Sequence, residues 1–305
     1  MSSSLDPNGR EIPAGPSARD LIGLAAREVG PPGGAALYRH AALLAGLTSG
    51  QDVLDVGCGT AFGLQFLVET FGVHGSGVDV DTHAVERAEA RAREAGLADR
   101  MHVQVAPMDA LPYRDGIFDV SIGGLGTTAG SRPEDAVAEI ARVTRPGGSV
   151  VLIQLAWTAP VAPARRRRIE RLLGFSPLAL VEWKRVLSDA GIESIHAEDW
   201  SDGRTALRSE AVEPFPDLAV RLSWRERIDV SRRAFKRWGL RGALGVWGEG
   251  SRLHRLLARE KLLTLVVLEG TRTGLATVAP IAAPASDRMG TRPSDVSDLP
   301  LFGNA

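Results

Sequence analysis

The 305-residue chain holds one cysteine, Cys58, so no intramolecular disulfide can form and no cysteine cage for zinc can be assembled. That scarcity excludes the disulfide-stapled secreted scaffolds and suits a reducing compartment. An excess of one charge is also missing: 36 Lys and Arg stand against 37 Asp and Glu, net −1. A dedicated nucleic-acid binder normally carries a clear basic surplus, so no nucleic-acid partner is expected. The opening Met1-Ser2-Ser3-Ser4-Leu5-Asp6-Pro7 has neither a positive start nor an apolar core. No signal peptide is therefore read there, and a cytoplasmic location is expected. One long apolar run, residues 147–164, is followed by Arg165, Arg166, Arg167 and Arg168 and imitates a membrane span. It opens on Pro146-Gly147-Gly148 and contains Pro160 and Pro163, which predicts a buried strand and a loop instead. No transmembrane segment is expected, and no spacing of His, Asp and Glu resembles a metal site.

What is present is ordinary globular composition, 44% hydrophobic and 24% charged, enough for one large domain with an elaborated cap. Residues 1–17 and 272–305 are rich in Ser, Pro or Gly without apolar periodicity and are expected to be disordered tails. Between them short apolar runs alternate with longer amphipathic ones, which signals an α/β fold with a mainly parallel sheet. Strands are expected at 52–56, 75–80, 101–106, 118–123, 149–155, 192–197 and 262–268. Helices are expected at 35–45, 63–71, 82–95, 133–144, 165–173 and 177–190, with a helical section running up to Glu260. The domain then divides into an N-terminal cap (18–50), a core (51–198), a helical insertion (199–261) and a last strand (262–271).

The first strand runs into a glycine turn, Asp55-Val56-Gly57-Cys58-Gly59-Thr60-Ala61-Phe62-Gly63, and then into a helix. Glycines let a backbone approach a ligand closely, and the start of the helix leaves N–H groups free for its polar atoms. A dinucleotide fingerprint starting at Gly57 would need a small residue at position 62, where Phe62 stands. A Walker loop would need a Gly-Lys-Ser/Thr ending, which is absent.

The spacing Asp55-x-Gly57-x-Gly59 at the end of the first strand resembles motif I of class I S-adenosylmethionine-dependent methyltransferases. Further matches follow in order: Gly77-Val78-Asp79, Met108-Asp109-Ala110-Leu111-Pro112, Gly116-Ile117-Phe118-Asp119-Val120, and the segment from Glu139 to Gly148. The closest likeness is to small-molecule enzymes such as the ubiquinone/menaquinone-biosynthesis C-methyltransferases. The resemblance implies a Rossmann-like seven-stranded sheet in the order 3-2-1-4-5-7-6 with a helical cap insertion, and S-adenosyl-L-methionine as cofactor. It also implies a cofactor site made of Asp55, Gly57, Cys58, Gly59, Ala61, Asp79, Val80, Met108, Asp109, Ala110, Gly123 and Gly124. Within it, Asp79 would accept from the ribose hydroxyls and Asp109 from the adenine amine. Asp55 would orient the methionine ammonium or the loop. Ala61 departs from the third glycine that many members carry.

Methyl transfer from a sulfonium is an in-line displacement, so positioning alone can supply about 7 to 11 kcal/mol of the acceleration. A strong general base is not obligatory. Tyr38 and His40, on the helix preceding the glycine turn, are the candidate catalytic residues; the loop 123–128 has no His, Asp or Glu. His74, His83 and His102 read as loop or surface residues, and His196 and His254 carry no assignment. No Asn/Asp-Pro-Pro-Tyr/Phe tetrad occurs, Cys58 lies inside the cofactor loop, and one cysteine is too few to hold arsenic. Amino-group methylation of DNA or glutamine, pyrimidine C5 methylation and arsenite methylation are thereby disfavoured. A small organic methyl acceptor is left, and a lid formed by residues 204–261 would suit a lipophilic one. Residues 204–261 hold 14 Lys and Arg against 7 Asp and Glu, interleaved with Trp224, Phe235, Trp238 and Trp247, which suits a cap or a peripheral membrane contact. The competing readings are an NAD-dependent oxidoreductase and a non-catalytic S-adenosylmethionine-binding module.

Overall fold

The computed structural model describes residues 24, 33–128, 130–200, 224–254 and 260–274. The elements are α1 (Gly34–Leu44), β1 (Asp52–Val56), α2 (Phe62–Phe71), β2 (His74–Asp79), α3 (Thr82–Glu94), β3 (Met101–Val105), β4 (Phe118–Gly123), α4 (Pro133–Val143), β5 (Thr144–Trp157), α5 (Pro163–Leu173), β6 (Leu178–Ala179), α6 (Leu180–Asp189), β7 (Ile192–Asp199), α7 (Trp224–His254) and β8 (Leu263–Arg272). They form one sheet in the order β3-β2-β1-β4-β5-β8-β7, with β6 paired to β5 off that path. Set β6 aside and the expected order 3-2-1-4-5-7-6 is the observed one; β8 runs antiparallel to both its neighbours.

The period of two along the strands divides the core into two layers. On β1, Val53 belongs to one buried cluster and Leu54 to the other; on β5, Val151 and Ile153 belong to the first, Val150 and Leu152 to the second. One cluster takes Leu37 of α1, Leu64 and Leu67 of α2 and Val85 and Ala88 of α3. The opposite cluster takes Val137 and Ile140 of α4 and Trp183 and Leu187 of α6. Helices on both faces explain why β5 reads as a continuous apolar run from Val150 to Ile153 instead of alternating. The run at 147–164 is indeed a strand followed by a loop and α5, and no described helix is long and apolar enough to cross a membrane.

Two expectations need correction. The strand expected at 149–155 begins at Thr144, because the register shifts between Phe118↔Thr144 and Val120↔Ser149, a bulge that absorbs Pro146-Gly147-Gly148 into β5. The helix expected at 177–190 begins only at Leu180. Its predecessors Leu178 and Ala179 pair with Ala156 and Trp157, where β5 has outrun the end of β4. Trp157 Nε1 donates to the Pro177 carbonyl at 2.7 Å, and the Glu182 carboxylate accepts from the Ala179 N–H at 2.7 Å, closing the first turn of α6. The expected tails lie outside the described residues except for 272–274, as do residues 201–223 of the expected insertion.

Helix α1 is held by one close approach. A Cβ built on Gly63 would lie 2.1 Å from two ring atoms of Tyr38, so the phenol lies flat against the start of α2. Gly63→Ala gains helix propensity of about 1 kcal/mol, but overpacking against a buried ring costs more, roughly 1–3 kcal/mol. Net destabilisation is expected in urea titration. In the Tyr38→Ala background the same substitution should cost much less, a non-additivity the double-variant cycle reads directly.

Candidate functional site

The carboxyl ends of β1, β2 and β4 lie side by side, with Val56 paired to Val78 on one flank and to Gly123 on the other. The turn after β1 folds over the end of β2: the N–H groups of Gly57 and Cys58 both donate to the Val78 carbonyl, at 2.8 and 3.0 Å. Gly57 (φ 73°) and Gly59 (φ 57°) occupy the left-handed region that favours glycine. At Gly57 a side chain is doubly barred, because its Cβ would fall 2.5 Å from the backbone of Gly126. At Gly59 a Cβ would meet nothing within 4 Å, so this part of the turn faces open space. Ala61, the departure from a third glycine, also has φ 57°, a conformation that costs a non-glycine residue about 1 kcal/mol.

Asp79 ends β2 and is fully buried. Its Oδ2 accepts from the Gly59 N–H at 2.9 Å and its Oδ1 from the Asp81 N–H at 3.0 Å. The commonest fate of an aspartate at a strand-to-helix junction is to cap the helix. Here Asp81 performs that role for α3, accepting from the His83 N–H at 3.0 Å. Asp79 is thus turned toward the glycine turn.

Asp55 lies one strand over, fully buried, and neither carboxylate oxygen has a hydrogen-bond partner. Burial, and then the charge of Asp79, push its pKa up to about 7. Tyr38 is buried beside it, its hydroxyl 3.8 Å from where a Gly124 Cβ would stand. Burial first, then the charges of Asp55 and Cys58, raise the phenol well above its ordinary value. The phenol therefore stays protonated near neutrality and is a donor, not a base. His40 is two residues along α1 and faces elsewhere: Nε2 lies 2.6 Å from Glu198 Oε2, and the ring centroid lies 5.0 Å from that of Trp200 at an interplanar angle of 49°. Glu198 also takes His196 at 3.0 Å. Burial alone would raise the Glu198 carboxyl, but the hydrogen bonds from His196 and His40 outweigh it and hold the group low. The two candidate catalytic residues are therefore separated by the fold, Tyr38 at the turn and His40 in a carboxylate cluster at the end of β7. His74, His83 and His102 are exposed, as expected.

The other expected residues fall around the same edge. Gly57, Cys58 and Gly59 are half-buried, and Val80, Asp109 and Ala110 are exposed. Met108, Ala61, Gly123 and Gly124 are buried. Among the described residues no group of His, Cys, Asp and Glu could hold a metal ion. Phe62 is the first residue of α2, with the Arg91 guanidinium 5.9 Å from its ring centroid, so the place a dinucleotide would need for a small residue is filled by a phenyl ring.

Three positioning residues escaped the sequence. Gln154, in the middle of the apolar run of β5, donates from Nε2 to the carbonyls of Gly123 and Gly124 at 3.2 and 2.7 Å. Thr127 donates to the Val56 and Gly124 carbonyls at 3.0 and 2.7 Å, and together the two side chains set the bend after β4. The third is Arg142 of α4, which donates to both oxygens of Glu139, to Asp115 and to the carbonyls of Leu111 and Tyr113. Glu139 accepts in turn from the Leu111 N–H at 2.8 Å. The pair anchors the segment after β3 that carries Asp109 and Ala110. An isolated buried Gln in an apolar strand, and an acid–base pair at i, i+3 facing the sheet, are the signals that could have revealed them. Arg142→Ala should cost about 2 kcal/mol, less than the sum of its bonds because the side chain is partly exposed. Amide exchange at Leu111 should accelerate with it.

Comparison with known proteins agrees with this geometry. Residues 53–148 match the family described as "Methyltransferase domain". The chain is 28% identical over 198 residues to the methyltransferase GfsG of Streptomyces halstedii, covering 63% of this chain and 69% of that one. It is 31% identical over 178 residues to the 27-O-demethylrifamycin SV methyltransferase of Amycolatopsis mediterranei, covering 56% and 65%. Against a fungal sterol 24-C-methyltransferase of Gibberella zeae it spans 46% of that protein's length, at 30% identity over 174 residues, 54% of this chain. Among solved structures, the geranyl diphosphate C-methyltransferase from Streptomyces coelicolor shares the fold with a TM-score of 0.56 at 18% identity, over 78% of this chain and 76% of that one. The [4+2]-cyclase SpnF shares it with a TM-score of 0.62 at 20% identity, over 85% and 98%. The first two of the five motifs stand on the adjoining carboxyl ends of β1 and β2, and the segment 53–148, which holds all five, matches the family of methyltransferase domains.

Proposed function

We propose that the whole chain transfers a methyl group from S-adenosylmethionine to carbon, oxygen or nitrogen of a small, lipophilic organic molecule. The observation that carries this is Asp79: a buried carboxylate at the end of β2, released from capping by Asp81 and bonded to the turn through the Gly59 N–H. Two residues fit the cofactor on independent grounds. Gly59 has open space where a side chain would stand, and Asp55 has two buried oxygens without partners, which a cationic ammonium would compensate directly or through water. Asp79 would hold the ribose diol, Met108 and the Ala110 N–H the adenine, and Asp109 its amino group. The cofactor, when bound, supplies an electrophilic methyl group.

The chain's own contribution is positioning. The bend at Gly123 and Gly124, set by Gln154 and Thr127, forms the acceptor side, and no acid or base stands on it. Tyr38, protonated and buried beside Asp55, would orient polar atoms at the turn. A polarisable or already acidic acceptor suits such a site, because no proton need be removed by the protein. Three of the proteins named above carry 27-O-demethylrifamycin SV, a sterol or geranyl diphosphate in their names, in keeping with a lipophilic acceptor. Within that class, quinone precursors are what the sequence resemblance to the ubiquinone/menaquinone C-methyltransferases favours.

Isothermal titration with S-adenosylhomocysteine should show stoichiometric binding; absence of heat with folded protein at millimolar ligand would exclude the cofactor. Incubating an extract with isotopically labelled methyl donor, followed by mass spectrometry, should reveal the acceptor. Binding without any labelled product across such extracts would instead favour the non-catalytic module.

A further inference from the structure

Helix α7 gathers large apolar side chains in water. Gly239, with φ 65° and ψ −154°, interrupts it, and the two arms fold back on each other. The rings of Trp224 and Trp247 stand 5.3 Å apart, and Trp247 Nε1 donates to Ser231 Oγ at 3.0 Å. Val230, Ala234 and Val246 close the seam between the arms. At about 100° per residue, Trp224, Ile228 and Phe235 share one narrow arc of the first arm, and Leu240, Leu244 and Trp247 one arc of the second. None of the six belongs to the buried cluster of the seam. All are exposed, Trp224 by 74% and Leu240 by 66%. This hairpin supplies half of the exposed large apolar residues among the described ones.

The flanks of the stripe are cationic. Arg225, Arg232 and Lys236 occupy the arc beside the first three residues, and Arg241 borders the second three; all four are exposed. Residues 224–254 carry eight Lys and Arg against three Asp and Glu. The neighbouring helix α5 adds exposed Arg167 and Arg168. A protein–protein interface is depleted of Lys at its core. An apolar stripe holding tryptophans, edged by long cationic side chains that can reach toward phosphate, matches the boundary of a bilayer. Placement agrees: β7 ends and β8 begins at the carboxyl edge of the sheet, so the hairpin is joined at that edge, the one that holds Asp55 and Asp79.

We propose that the α7 hairpin is a docking surface for anionic lipid bilayers, its apolar stripe entering the headgroup region while the flanking cations lie over acidic headgroups. Docking in this way presents the carboxyl edge to lipid-dissolved molecules, but it does not depend on the cofactor or on the reaction proposed above.

The test is co-sedimentation of the full chain with vesicles of phosphatidylcholine alone or mixed with phosphatidylglycerol. Binding to the mixed vesicles at low salt, weakening as salt is added, is expected. A triple variant, Trp224→Ser with Phe235→Ser and Leu240→Ser, should partition about 10-fold less. Arg232→Glu with Lys236→Glu should remove the preference for acidic vesicles. These side chains face water, so circular dichroism and S-adenosylhomocysteine binding should match the unaltered protein. Failure of the unaltered chain to pellet with acidic vesicles at low salt overturns the proposal, as does equal pelleting by the triple variant. Light scattering that shows a dimer, converted to monomer by the triple variant, would mean that a second copy covers this face instead.

Discussion

Asp79→Ala should weaken S-adenosylhomocysteine binding by about 100-fold or more, while Cys58→Ser changes it only a few-fold. Charge-assisted hydrogen bonds contribute about 1.5–3 kcal/mol each, and in the proposed function the carboxylate would accept two from a sugar diol while holding the Gly59 N–H. Asp79→Asn separates the two roles. The amide oxygen can still accept from one backbone N–H, but the charge is gone, so the turn should keep its fold and the affinity should fall nearly as far. Titration calorimetry reads the affinity, and the amide shift of Gly59 reads the turn. An Asp79→Ala protein that binds as tightly as the original would remove the basis of the proposed function.

The second large effect concerns Asp55, and its sign runs against habit. Its carboxyl has a pKa of about 7 in the folded chain, well above the 3.8 of the unfolded one. Between these values the unfolded state has released its proton and the folded state still holds it. Stability therefore falls as pH rises from about 4 to 7 and is level above that. Asp55→Asn, which has no charge to bury, should raise the cofactor-free midpoint of thermal unfolding at pH 8. The gain is bounded by roughly 4 kcal/mol, since a pKa unit corresponds to about 1.4 kcal/mol. Near pH 4 the difference should vanish. The same variant should bind S-adenosylhomocysteine more weakly, because a neutral amide does not compensate an ammonium. The original protein should release a proton on binding below pH 7, seen as a buffer-dependent heat. A stabilised but weakly binding variant is the expected signature of a residue kept at a cost to the fold.

Legibility in the sequence followed burial. Strands β1 and β4 were readable to the residue because each is a short buried stretch bounded by glycines, Gly50 and Gly57 around β1 and Gly116 and Gly124 around β4. The glycine turn was readable because left-handed backbone and close approach leave few alternatives to glycine, as at Gly57. Strand β6 was not, because Leu178 and Ala179 extend only where β5 projects past β4, a fact about strand ends in space. Tyr38 and His40 looked equivalent along the chain. Helical spacing sets them on different sides of α1, but which side meets the turn depends on how α1 lies across Gly63. The cation-edged apolar stripe of α7 was visible only as composition until Gly239 brought Trp224 and Trp247 together.

While the strand order came from the resemblance the motifs carry, what the amino-acid order determined by itself was the alternation of strand and helix and the glycine turn with its carboxylates. Local covalent geometry and burial of apolar faces are enough for that, since both act over a few residues. Only the tertiary structure decided that Asp81 and not Asp79 caps α3, that Asp55 is buried without a partner, and that His40 belongs to Glu198. Charge, solvation and hydrogen-bond partners come from residues far apart in the chain, 158 positions for His40 and Glu198, and no pattern along the chain encodes which of them will meet.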